Sequence, residues 1–273
     1  MQGCICPHPP LLIPEVGKTR RNKISATVSA MEQLAVSVGD PETIVVISPH
    51  ADNFGDAYAV KTSTRLHGDL GRFRCPDVSF AYDNDLQFAE LLLAEAGGSR
   101  KVNVVPDGGE ILDWGVIVPL SFFRPQRIIS LSTIGPYADH RALGELVRRC
   151  AGELARDTLF LASADLSHAL IPGAPVAYDP RGKLFDEEIV NLLQIGDFPA
   201  LLQLEPILLS GAAECGLRSI VALGGFLADD ATVEPEILSY EGPFGVGYLV
   251  ARFGPRPPKT TAVDEDYVGE TTS

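Results

Sequence analysis

Apolar positions along the chain fall into short unbroken runs and longer stretches at helical spacing. Ile44-Val45-Val46-Ile47 is β-branched throughout, the composition of a strand buried on both faces, as in a parallel sheet. Gly3 to Cys6, Ala57 to Thr62, Lys101 to Val105, Arg127 to Thr133 and Thr158 to Ala162 read as further strands. Ile237 to Tyr240 and Val246 to Phe253 read as a closing pair. Between Lys18 and Val38, the residues Ile24, Val28, Met31, Leu34 and Ala35 recur with the period of a helix. Asp85 to Ala96 is amphipathic and closes on Gly97-Gly98, a helix stop. Asp139 to Leu154, Leu184 to Leu193, Pro199 to Leu204 and a segment opening at Gly211 complete the predicted helices. Pro106 to Gly109 reads as a loop, and Ile111 to Phe122 as a loop leading into a short helix. The alternation predicts an α/β fold, a sheet of mostly buried strands flanked by helices. With no internal repeat or interior linker, one domain is expected over residues 1–253. The acidic stretch 254–273 has few large apolar residues and is expected to be disordered.

Composition narrows the partners. Of 273 residues 45% are hydrophobic and 21% charged, ordinary for a globular protein, but the formal charge is −14. Such an acidic chain does not suit nucleic acid or an anionic membrane, both of which need a basic face. No apolar run is long enough to span a bilayer, and the N-terminal stretch lacks the form of a secretory signal. Five irregularly spaced cysteines do not resemble a disulfide framework, so a reducing cytoplasm is the expected compartment.

Candidate chemistry sits where strands end. His50 follows Ser48-Pro49 at the end of the Ile44–Ile47 run, and His8 lies between prolines after the first strand. His168 follows the Thr158–Ala162 strand within Ser163-Ala164-Asp165-Leu166-Ser167. The carboxyl ends of strands in open α/β sheets are where ligands and catalytic groups gather. Glu214-Cys215, at a helix start, is a fourth patch. Two imidazoles and one anionic donor with open positions suit non-haem Fe(II) oxygenases, and zinc hydrolases use similar donors. A histidine left off the metal can serve as general acid and base. Cys4, Cys6 and His8 share one strand face by period two, although small buried thiols are the simpler reading. His67 and His140 read as surface residues. The sequence holds no P-loop, GxGxxG or nucleophile-elbow pattern.

PHPPLL around His8, VVISPHAD around His50, LDWGVIVPL around Trp114, ASADLSHAL around His168 and GAAECGLRSIVALGGFL around Cys215 occur in a telling order. The ordered set resembles the class III extradiol ring-cleavage dioxygenase catalytic B-subunit family, which includes protocatechuate-cleaving enzymes and the related Memo-type proteins. The resemblance implies a metal on His8 and His50, with His168 as acid and base. Asp165 matches the aspartate of the Asp-x-x-His motif of Memo proteins. The third ligand is Cys215 by register or its neighbour Glu214, a harder oxygen donor, with Glu241 as a weaker choice. Ring-cleaving relatives carry Asp-His-Gly where this chain has Asp113-Trp114-Gly115, so Asp113 and Trp114 fall at the substrate pocket. Trp114 has one N–H donor and cannot take up a proton; it either stacks on an aromatic substrate or fills the pocket. The resemblance further implies Fe(II), with Zn or Cu as alternatives, and a catechol-like or aminophenol-like substrate with O2. A Memo-like metal-binding protein without ring cleavage, in a redox or partner-binding role, is the other expectation. By analogy, self-association or a small partner subunit is expected.

Overall fold

In chain order the elements of the computed structural model are β1 (Gln2–Cys6), the short α1 (Pro14–Gly17), α2 (Ser25–Val38), β2 (Thr43–Ser48), β3 (Tyr58–Lys61), β4 (Arg65–Leu70) and β5 (Cys75–Asp83). They continue with α3 (Leu86–Gly97), β6 (Val104–Asp107), α4 (Trp114–Leu120), β7 (Arg127–Ser132), α5 (Tyr137–Glu153) and β8 (Thr158–Ser163). The last are α6 (Pro180–Gln194), α7 (Pro206–Ala212), α8 (Leu217–Leu227), β9 (Glu234–Glu241) and β10 (Tyr248–Gly254). The structure describes residues 1–52, 54–99, 101–228 and 230–255. The acidic tail therefore lies almost wholly outside the described residues.

Eight strands form one sheet in the order β6-β3-β7-β2-β8-β1-β10-β9. Its centre is parallel: β2 pairs with β7 and β8, and β8 with β1. The antiparallel β10 and β9 extend the β1 side. Both faces of the central strands are covered, which explains their unbroken apolar runs. On one face, Ile44 and Val46 of β2, Leu159 and Leu161 of β8, and Cys4 and Cys6 of β1 pack with α2, α4 and the β4–β5 hairpin. On the other, Val45, Ile47, Phe160, Ala162 and Ile5 pack with α3, α5, α6 and α8. Helices α5 and α8 meet without intervening side chains: a Cβ on Gly144 would lie 1.9 Å from Ala222 O, and one on Gly225 2.0 Å from Arg141 O.

Several elements differ from expectation. The helix expected from Lys18 begins at Ser25, and Lys18–Ile24 forms 3-10 turns in which only Ile24 is buried. The polar run KTRRN offers no apolar stripe to hold a helix on the sheet. β6 runs into Pro106 and Asp107, paired with Val60 and Lys61; as an edge strand it tolerates the proline. The β4–β5 hairpin and α7 were not expected. Alternate positions of β4 are buried, but one of them is Gly68, so its hydrophobic signal is faint.

Candidate metal centre

Strands β2, β8 and β1 lie side by side and parallel, so their carboxyl ends open on one region. His50, Asp165 with His168, and His8 follow those three ends. The His8 and His50 Nε2 atoms are 3.0 Å apart with rings edge to face. Cys215, just before α8, brings its Sγ to 3.6 Å from His8 Nε2. These three donor atoms lie within 4.8 Å of one another, and they form the only His/Cys/Asp/Glu group of this kind found among the described residues.

The hydrogen bonds fix the His8 tautomer. Ser163 Oγ donates to Gly115 O at 2.6 Å, so its lone pair accepts from His8 Nδ1–H at 2.9 Å. His8 Nε2 is then unprotonated and faces His50 Nε2. Two nitrogen lone pairs at that distance repel unless a proton or a cation lies between them. Burial lowers both imidazoles to about 3, with neighbouring histidines adding to the effect, so the rings stay neutral, the form that binds metal. Burial raises the Cys215 thiol, and a cation at the same point reverses that shift by favouring the thiolate. Donors sharing one ion at the usual nitrogen and sulfur bond lengths stand about 3.0–3.6 Å apart. The residues present therefore fit a divalent metal.

Surrounding groups hold the donors in place. Asp165 accepts His8 N–H at 2.9 Å and lies 3.6 Å from His8 Nε2; burial raises its carboxyl to about 6. His168 donates Nδ1–H to Leu166 O at 3.1 Å, which leaves its Nε2 lone pair free. Asp113 caps α4 through Gly115 N and accepts from Ser48 Oγ, both at 2.7 Å, while Ser48 Oγ accepts His50 N–H at 3.2 Å. Trp114 stacks on His50 with centroids 4.1 Å apart, with Phe73 edge-on and the Arg72 guanidinium 4.6 Å from its centroid.

The two other anionic donors considered do not join this group. The Glu214 carboxylate accepts from Tyr137 Oη at 2.9 Å and from Leu217 N at 2.6 Å, capping α8. Glu241 accepts the Thr27 N–H and hydroxyl. Cys4 and Cys6, 3.7 Å apart, sit in the α2-side core, and neither belongs to the donor group. Asp113 works on α4 and Ser48, and Trp114 fills space against His50. His140, expected at the surface, is buried: Nδ1–H donates to Pro136 O and Nε2 accepts Ile134 N–H. The polar first turn of α5 hides that burial from a reading of pattern. His67, on β4, is exposed as expected. Sequence reading passed over Ser48, Ser163 and Gly115. A signal existed, since both β2 and β8 end in serine just before the candidate residues.

A recess of about 320 Å³ opens beside the thiol, bordered by Pro49, Thr133, Gly135, Glu214, Cys215 and Arg218. A separate apolar recess of about 410 Å³, lined by Phe198, Leu202, Val221, Leu227, Val233 and Phe253, includes none of the donors.

Parallel strands on either side of β8 that deliver two imidazoles to one point, with a thiol from a neighbouring helix start, define an α/β domain with a donor cluster fit for a metal. A family profile described as the catalytic LigB subunit of aromatic ring-opening dioxygenase matches residues 2–251. The chain belongs to that family. It is 33% identical over 267 residues to protein CA_C1420 of Clostridium acetobutylicum, an alignment covering 91% of this chain and 56% of that protein. It is 23% identical over 184 residues to a 3,4-dihydroxyphenylacetate 2,3-dioxygenase of Escherichia coli, covering 60% and 66%. The chain thus spans less than two thirds of both relatives. In fold it is similar to the uncharacterized protein JW3007 of Escherichia coli K12, with a TM-score of 0.63 at 18% identity over 93% of this chain and 100% of that one. No helix among the described residues is long and apolar enough to cross a membrane.

Proposed function

We propose that the chain is a metal-dependent extradiol-type dioxygenase acting on a catechol-like or aminophenol-like aromatic with O2, with Fe(II) held by His8, His50 and Cys215. The observation that carries the reading is the convergence of those three donors, with His168 near enough to act on both imidazoles. Bound there, Fe(II) supplies the electron transfer that couples an aromatic diol to O2. His168 takes a hydroxyl proton from the substrate at Nε2 and returns it later, because its Nδ1 is engaged by Leu166 O. Ser163 holds the His8 ring at Nδ1, Asp165 holds the His8 backbone N–H, and Ser48 holds the His50 backbone. Trp114, pressed on His50, excludes water from that flank but exchanges no proton. Anaerobic Fe(II) loading followed by oxygen-electrode assays on a panel of catechols and aminophenols tests the reading. Uptake with ring-opened product is expected; its absence across the panel defeats it.

A second reading, a Memo-like metal-binding protein without ring cleavage, is favoured by two observations. The third donor is a thiol, and the tryptophan stands where ring-cleaving relatives carry histidine. Metal content separates the ligand sets: Cys215→Ala is expected to lose the bound metal, whereas Glu214→Gln keeps it. Retention in Cys215→Ala with loss in Glu214→Gln removes the thiolate from both readings.

A further inference from the structure

The apolar recess of about 410 Å³ takes no part in the metal centre. Val221 and Leu227 of α8 and Phe253 of β10 line it as buried core residues, and Phe198 stands edge-on to Phe253 with centroids 5.1 Å apart. A concave surface of this kind receives apolar side chains. Two charged residues border it, Arg141 and Asp230. Asp230 is already neutralised, since its carboxylate accepts from the Met1 amine and from the Thr232 N–H and hydroxyl. Arg141 pairs with Glu145, one turn along α5. That ion pair is exposed, and such pairs contribute little in water. The border of the recess therefore offers a cation to a new partner.

The chain itself supplies a partner of matching chemistry. β10 ends at Gly254, directly after Phe253, so the polypeptide leaves the sheet beside the recess. In the sequence that follows, Val263 precedes the acidic run Asp264-Glu265-Asp266, and Tyr267-Val268 succeed it. An aromatic and two aliphatic residues around an acidic run complement an apolar recess with a cation at its border. Tyr267 is twelve residues past Pro255, a reach of up to roughly 40 Å. In a chain of formal charge −14 a separate acidic partner is repelled at long range. A tethered segment is spared that handicap, because it meets its site at a high effective concentration and weak contacts suffice. A stretch too poor in apolar residues to fold alone can still dock on a surface that is already formed.

We propose that the recess is an intramolecular docking site for residues 263–268 of this chain, with Tyr267 against Phe198 and Phe253 and the acidic run on Arg141. Docking there covers apolar surface that would otherwise invite association. The assignment is independent of the chemistry of the metal centre.

The test uses the full chain and reads amide hydrogen exchange by mass spectrometry. Tyr267→Ala is expected to speed exchange in the turn Pro199–Gln203 and in residues 231–235 by at least about fivefold. Tyr267→Phe is expected to leave it unchanged, and Arg141→Glu to have a smaller effect in the same direction. Amides of β2 and β8, remote from the recess, are expected to exchange as in the parent, which separates local uncovering from lost stability. A photocrosslinking residue, p-benzoylphenylalanine, in place of Tyr267 then identifies the occupant, with crosslinks expected inside one chain to Phe198, Leu202 or Val233. Exchange at the recess that is unchanged in Tyr267→Ala or in Arg141→Glu, or that rises equally throughout the chain, overturns the proposal. So do crosslinks confined to other parts of the chain, and so do crosslinks formed only between chains, which would give the recess to a second copy.

Discussion

One hydroxyl decides which nitrogen of His8 faces the cluster. Ser163 gives its proton to Gly115 O and so has only a lone pair to offer the imidazole. Neither bond is apparent from residue type, yet together they aim the His8 Nε2 lone pair at His50. Ser163→Ala removes the acceptor and frees the ring to rotate or change tautomer. Metal affinity is expected to fall by about 10–100-fold, the usual effect of losing such a supporting partner, with a thermal midpoint close to the parent's in the metal-free state. Competitive titration with a chromophoric chelator measures it; an affinity within twofold of the parent's sinks the tautomer assignment. The same scale separates Cys215 from Glu214. The two are adjacent in sequence, but Glu214 lies three residues before Leu217 and accepts its N–H, a capping geometry that turns the carboxylate toward the helix. Spacing before the apolar run of α8 was a clue to this, and the greater hardness of oxygen as an Fe(II) donor obscured it.

Among the elements, α4 locks the site together. Its first turn crosses the end of β2 so closely that a Cβ on Gly115 would lie 2.4 Å from Ser48 Oγ and 3.3 Å from His50 Cδ2. Gly115 also offers its N–H to Asp113 and its carbonyl to Ser163, so β2 and β8, whose Ser163 orients His8, are both referenced to one residue. Gly115→Ala is expected to displace Ser48, lower stability by about 1–3 kcal/mol as overpacking does, and weaken metal binding. Gly152→Ala is the control: in α5, where an added Cβ would meet nothing within 4 Å, it should stabilise by about 0.5–1 kcal/mol and leave metal binding alone. Thermal melts and metal titrations of both variants measure this, and equal metal affinity in Gly115→Ala and the parent refutes it. The sheet was legible because strands buried on both faces carry unbroken apolar runs, and β2 and β8 show them. The strand-end histidines were legible for the same reason, since a run's end marks where the chain leaves the sheet. The hairpin that carries Arg72 was not. Its alternate buried positions are Leu66, Gly68 and Leu70, too weak a period to distinguish from a polar loop.

Across the whole molecule, buried ionisable groups set the pH response of the metal-free protein in opposite directions. Burial lowers His8 and His50 to about 3 and His140 to about 4. The unfolded chain binds protons at these sites that the folded one refuses, so stability rises with pH up to about 6.5. Burial raises Asp186 to about 7; its carboxylate is fully buried, accepting Ser167 N–H at 2.8 Å and Tyr240 Oη–H at 2.7 Å. In the folded protein it holds a proton that the unfolded chain releases near pH 4. Its contribution is therefore complete below about pH 4 and lost as pH climbs through about 7. Asp179 and Asp230, held at about 2 by hydrogen bonds, change charge below this window and do not blur it. Asp186→Asn keeps the shape and both hydrogen-bond positions without the charge. Against the parent, with chelator present so that the histidines respond as metal-free groups, the variant's thermal midpoint is expected to gain steadily between about pH 4.5 and 7 and then level off. The cumulative gain is on the order of a few kcal/mol or less. A difference between the two proteins that stays constant from pH 4.5 to about 8 would show that Asp186 ionises as freely in the core as in water.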